Sequence, residues 1–135
     1  MVELSGTCAP LDRPSRPVDA GRLASTVVTD GRILPFVLVD CTALQKALGP
    51  ALDREPRGRR DFLYGRAVGR VLAHEMYHVE SQTREHSRQG VAESAVSAGE
   101  LVSERFEFAH DALARLRASL PEADDDSYTE DTVGR

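Results

Sequence analysis

Tryptophan is absent from this 135-residue chain, and aromatic residues make up only 5% of it. The interior must therefore be packed by Leu, Val and Ala rather than by large rings. There are only two cysteines, Cys8 and Cys41, too few for a disulfide framework and not arranged as a Cys-x-x-Cys pair. Cys41 follows an apolar run and is expected to be a small buried residue. No apolar stretch approaches the about 20 residues that cross a bilayer, so no membrane partner is expected. The first residues lack a charged segment followed by an apolar one, so no signal peptide is read and the cytoplasm is the default location.

Excess positive charge is missing too. The net charge is −5, and six acids in the last fourteen residues (Glu122, Asp124, Asp125, Asp126, Glu130, Asp131), opposed there only by Arg135, account for it. The body is close to neutral, which excludes a strong pull toward nucleic acid or membrane. Arg54, Arg57, Arg59 and Arg60 form the densest basic run, but no aromatics are interleaved for base stacking, so a solvated loop is expected there. Hydrophobic residues at 41% and charged residues at 29% are an ordinary globular mix, and the length favours one domain.

Residues 1–22, with Pro10, Pro14 and Pro17, read as an extended leader. Asp30-Gly31 between Ser25–Thr29 and Arg32–Val39 predicts a hairpin over 25–39, because a type I′ turn needs positive φ at both central positions. Pro35 cannot donate to a ladder and places part of the second strand at an edge or a bulge. The run 36–39 is apolar on both faces and is expected to be buried. Thr42-x-x-Gln45 predicts a capping box and Gly49-Pro50 a stop, with a short helix between them. Residues 53–60 are expected to be a charged loop. Leu63, Ala67 and Val71, with Val68 and Leu72 beside them, predict a helix over about 61–82, in which Gly65 and Gly69 mark close packing. Residues 83–96 read as loop. A second capping box, Ser97-x-x-Glu100, opens a predicted helix over about 98–120 along the stripe Val102, Phe106, Ala109, Leu113, Leu116 and Leu120. Pro121 ends it, and 121–135 is an acidic tail expected to be disordered.

What is present is chemistry in residues 74–78, His74-Glu75-Met76-Tyr77-His78. Two histidines four apart on a helix project from one face and can bind one Zn²⁺ at about 2.0–2.1 Å. Glu75, one step round, can take a proton from water activated by the metal. With four histidines in the chain, a chance match to this motif has an expectation of roughly 0.01, so the functional reading is preferred to a surface helix. A catalytic zinc needs a third protein ligand. His86, eight residues after His78, is the leading candidate, since a loop over 79–85 lets the chain turn back. A strict metzincin signature would need Gly and a ligand at the positions of Ser81 and Arg84. Glu100 is the rival third ligand. Glu93 could orient a ligand imidazole, although Glu100, Glu104 or a backbone carbonyl could serve as well. Tyr77 is expected to pack in the core, Glu80 and Glu85 to be solvated, and His110 to lie on the surface. Tyr128 could act as a donor only if the tail folded back.

The run His74-Glu75-x-x-His78-x7-His86-Ser87-x-x-Gly90-Val91, with the Leu-Pro-hydrophobic-Asp-Cys strand before it, resembles a set of short bacterial zincin-like metallopeptidases over about residues 25–120. The resemblance implies an α+β, compact zincin-like domain over 23–120, one Zn²⁺ on His74, His78 and His86, and Glu75 as catalytic base. Relatives that resemble the metzincins often carry a Met after the Gly, where this chain has Val91 and Ala92. Gly99-Glu100-Leu101-Val102-Ser103-Glu104 also resembles the ligand-bearing helix of gluzincins, which is what keeps Glu100 in view. The expected activity is zinc-dependent peptide hydrolysis by a metalloendopeptidase, with a peptide or protein substrate bound by strand addition along 32–38. The alternative is a non-catalytic zinc-binding domain of regulatory or structural role, with Glu100 closing the site as a fourth ligand.

Overall fold

The computed structural model describes residues 1–10 and 21–121. The middle of the leader and the acidic tail with Tyr128, read from sequence above, lie outside the described residues. Asp30 and Gly31 take φ of +50° and +78°, the positive values that the hairpin turn demands. They join strand β2 (Ala24–Thr29) antiparallel to strand β3 (Arg32–Asp40). The register shifts between Thr26 and Val28. Pro35 falls in the stretch opposite, between Ile33 and Val37, where a missing N–H costs no ladder bond.

The strand is not an edge, however. Val2–Ser5, inside the segment read as a leader, is extended but forms strand β1, parallel to β3 with Val2 beside Val37 and Ser5 beside Asp40. The order is β1-β3-β2, so β3 is central and cannot take the extended peptide assigned to 32–38. Nor is 36–39 buried on both faces. Val37 and Val39 are buried, whereas Phe36 and Leu38 are 41% and 39% exposed, as strand alternation requires when only one face is packed.

Cys8 and Cys41 are disulfide-bonded, with their Cα atoms 4.9 Å apart. The sequence, with too few cysteines for a framework, did not point to this bond, although Cys41 is fully buried as expected. Helix α1 (Cys41–Leu52) starts directly after β3, and its cap is Asp40, whose carboxylate accepts from Ala43 N at 2.9 Å. The expected Thr42–Gln45 box is not formed; Gln45 donates to the Ala9 carbonyl instead. The helix also runs through Pro50 to Leu52 rather than stopping at Gly49. Burial of Leu52 contributes about 1.5–3 kcal/mol, comparable to the about 3 kcal/mol that an interior proline costs.

Helix α2 (Arg57–Ser81) begins inside the segment expected to be loop and runs for 25 residues. Its buried residues Leu63, Tyr64, Ala67 and Val71 face the sheet and α1. Gly65 and Gly69 have nothing within 4 Å of where a Cβ would stand, so they do not mark close packing. At its C-terminus Gln82 turns left-handed (φ +49°), and its side-chain amide both accepts from Ile33 N and donates to Ile33 O, at 3.1 and 2.8 Å. That pair of bonds pins the end of α2 to β3.

The helix expected over 98–120 is broken in two. The Ser97–Glu100 capping box is formed, but it opens only helix α3 (Ala98–Val102), and helix α4 is His110–Ser119. The reason lies on α2. Arg70 donates to the carbonyls of Glu100 and Leu101, at 2.8 and 3.0 Å, and Arg66 to those of Val102 and Ser103, at 3.0 and 2.9 Å. These side chains satisfy the carbonyls left open at a helix end. The freed segment then lies against Gly90, bridging it through Phe108. Gly90 has φ +80°, and a Cβ there would meet Glu107 O, so only glycine fits. The described residues thus form an α+β arrangement with three strands and four helices. No helix among them is long and apolar enough to cross a membrane.

Candidate metal centre

The buried stripe of α2 does not end at Val71. One turn on it continues as Glu75 and then His78, both buried (8% and 7% exposed), with half-buried His74 beside them. Polar groups thus occupy positions that helical periodicity would fill with leucine. Each histidine is fixed through its Nδ1, His74 on the Val91 carbonyl and His78 on the Thr83 carbonyl, both at 2.7 Å. A carbonyl can only accept, so both Nδ1 atoms carry the proton and both Nε2 atoms present lone pairs. Those two Nε2 atoms are 3.2 Å apart. Two facing lone pairs at that distance repel unless a cation lies between them. The spacing matches the about 3.3 Å between two nitrogens held at about 2.05 Å on a tetrahedral metal.

His86 completes the group. The ligand atoms of His74, His78 and His86 all lie within 4.8 Å of one another, the one such cluster found among the described residues. The ring of His86 stacks on His74 at 5.3 Å and meets His78 edge-on at 4.7 Å. The segment that carries it is braced. Ser87 N donates to Ala92 O at 2.9 Å, and the Ser87 hydroxyl donates to the Asp111 carboxylate at 2.9–3.0 Å. Arg115 joins Asp111 at 3.2 Å to the Tyr77 hydroxyl at 3.1 Å and to Glu85 at 3.4 Å. Tyr77, with Phe108, Ala92, Ala112 and Leu116, forms a small second core beneath the site, which agrees with its expected packing role.

The rival ligand is elsewhere. The Glu100 carboxylate accepts from Ser97 N and Ser97 Oγ at 2.8 and 2.6 Å, the capping role, and these bonds hold its pKa below the usual carboxylate value. The second nitrogens of His74 and His78 go to backbone carbonyls, so Glu93 is not needed to orient them. Glu80, Glu85 and His110 are exposed, as expected.

Burial pushes the pKa of Glu75 up, opposed by the charges of His78 and Arg22. Burial pushes all three histidines below the ordinary value of 6.5; the carbonyl bonds of His74 and His78 and, for His78, the Glu75 charge work in the opposite direction. Neutral imidazoles are the metal-binding form. Metal affinity should therefore be full at neutral pH and fall only below about 6.5, as protons begin to compete. Isothermal titration of metal from about pH 8 to about pH 5 checks this. The sign for folding is the same. The unfolded histidines bind protons at higher pH than the folded ones, so metal-free stability falls as pH drops from about 6.5 through the depressed values.

A cavity of about 290 Å³ opens over Glu75, His78 and His86, walled by Ser25, Thr26 and other residues of β2 and by two arginines, Arg22 and Arg84. Sequence reasoning missed these arginines, as it missed the Ser87–Asp111–Arg115 brace. Only the four-residue spacing of Asp111 and Arg115 was a readable signal. Comparison with protein-family models, curated proteins and solved structures finds no match to the chain.

Proposed function

We propose that this chain is a zinc-dependent hydrolase, a metalloendopeptidase on a zincin-like scaffold, with His74, His78 and His86 as metal ligands and Glu75 as general base. The observation that carries the reading is the 3.2 Å separation of the His74 and His78 Nε2 atoms, whose Nδ1 atoms are taken by backbone carbonyls, beside a buried carboxylate. Three imidazoles suit zinc and leave one coordination position open. When bound, zinc supplies Lewis acidity, bringing a water's pKa toward neutrality and polarising a carbonyl.

Glu75 does the proton work. Its raised pKa brings it nearer the operating pH, where a general base that must also return its proton is most effective. It takes the water's proton and delivers it to the leaving amine. The β2 strand supplies the binding edge assigned from sequence to 32–38. It is outermost in the order β1-β3-β2 and lines the cavity through Ala24, Ser25, Thr26 and Val28, so an extended peptide can pair with it beside Glu75. The non-catalytic alternative needed Glu100 as a fourth ligand, and that carboxylate is held by Ser97.

The test is cleavage of a quenched fluorescent peptide mixture by the full chain. Activity that follows zinc content, disappears with a chelator and returns with added zinc is expected. A zinc-loaded chain that cleaves nothing in a broad mixture would contradict the reading.

A further inference from the structure

The charge of the cleft differs from that of the chain. The protein is net −5, yet the cavity over Glu75 is lined by Arg22, two residues before β2, and by Arg84, in the loop that returns His86. Glu75 is the one carboxylate among the described lining residues. Other arginines nearby are committed. Arg66 and Arg70 hold carbonyls of α3 and the residue after it, and Arg115 is tied to Tyr77, Asp111 and Glu85. Neither Arg22 nor Arg84 is in the ion pairs seen at Arg105 and Arg115, and Arg22 acts within the cleft through its charge on Glu75. Both are exposed at the rim.

We infer that the cleft selects acidic peptides, with Arg22 and Arg84 each receiving a side-chain carboxylate of an extended segment laid along β2. This rests on the peptide-hydrolase reading and names its substrate class. A guanidinium takes a carboxylate through two parallel N–H···O bonds. Two such groups at the mouth of one cleft raise the local concentration of anionic ligands, to an extent that salt reduces. The occupant is a polypeptide rather than a nucleic acid because the cleft offers a strand edge for backbone pairing and no Phe, Tyr or Trp among its described lining residues for base stacking, its two rings being those of His78 and His86.

The experiment uses the full-length, zinc-loaded Glu75→Gln variant, which retains the cleft without the base. Fluorescence anisotropy compares labelled peptides of one sequence bearing Glu, Gln or Lys at the flanking positions. The Glu peptide should bind about tenfold tighter than the Gln peptide, the product of a few-fold from each rim ion pair, and the gap should narrow with salt. Arg22→Gln with Arg84→Gln should erase the preference, and Arg22→Glu with Arg84→Glu should turn it toward the Lys peptide. Equal binding of Glu and Gln peptides would overturn the inference, as would acid preference surviving charge reversal. Displacement of the Glu peptide by a single-stranded oligonucleotide of equal charge would overturn it too. Since the readout is binding, absent turnover in the wild type would count against the hydrolase reading alone.

Discussion

Glu75→Gln is expected to lower peptide cleavage by about 10²–10⁴-fold while the chain stays folded and binds one metal ion. The amide has the shape of the carboxylate but cannot take a proton, and no other carboxylate is among the described lining residues of the cavity. Glu75 sits one turn beyond Val71 on the buried face of α2 and is 8% exposed, so its ionised form is held in place against the cost of desolvation. Replacing it with a neutral isostere removes that cost, and the midpoint of thermal unfolding should hold steady or rise. The loss should appear in kcat rather than in KM, because a proton transfer matters chiefly in the transition state. Steady-state kinetics with metal content measured on the same sample decides it. Activity at the wild-type level would remove Glu75 from the mechanism.

Reduction of the Cys8–Cys41 disulfide should lower stability by about 3–4 kcal/mol, the chain-entropy value for a loop of this length, or about 10 °C in melting temperature. The bond spans 33 residues and fastens a strand that has little else to hold it. β1 is four residues long, all exposed, and pairs on one side only. Calorimetry with and without reductant measures the effect, and Cys8→Ser should melt at the reduced value whether or not reductant is present. Zinc binding should survive, since all three histidines lie on α2 and the loop after it. An unchanged melting point on reduction, or two titratable thiols in the untreated chain, would contradict the assignment. Such bonds persist where thiols are kept oxidised, which sits at odds with a cytoplasmic default.

Local chemistry was legible in the sequence and long-range pairing was not. Asp30-Gly31 specified its turn because positive φ at two successive positions leaves few residue choices. The Ser97 box formed because its bonds close within three residues. His74, Glu75 and His78 were readable because a helix fixes their relative direction whatever surrounds it. The third histidine was reachable because loop length limits where His86 can go. The Cys8–Cys41 bond depends on a Cα separation of 4.9 Å that no spacing in the sequence reveals. β1 was hidden because Val2–Ser5 is too short to show a period, and placing it made β3 central and moved the open edge to β2. The helix over 98–120 had an unbroken apolar stripe, and it broke because Arg66 and Arg70, 36 and 30 residues before the carbonyls they reach, take the acceptors that its next turn would have used. Arg22 and Arg84 carry no motif at all. They reach the cleft only because β2 and the 83–86 loop border the same end of α2.

The most direct test of the metal centre is zinc per chain in purified wild type, His86→Ala and Glu100→Ala. One zinc per chain is predicted for the wild type and for Glu100→Ala, whose loss of a helix cap costs about 1 kcal/mol of stability, and well below one for His86→Ala. A wild type without zinc, or a His86→Ala protein that keeps it while Glu100→Ala loses it, would contradict the account.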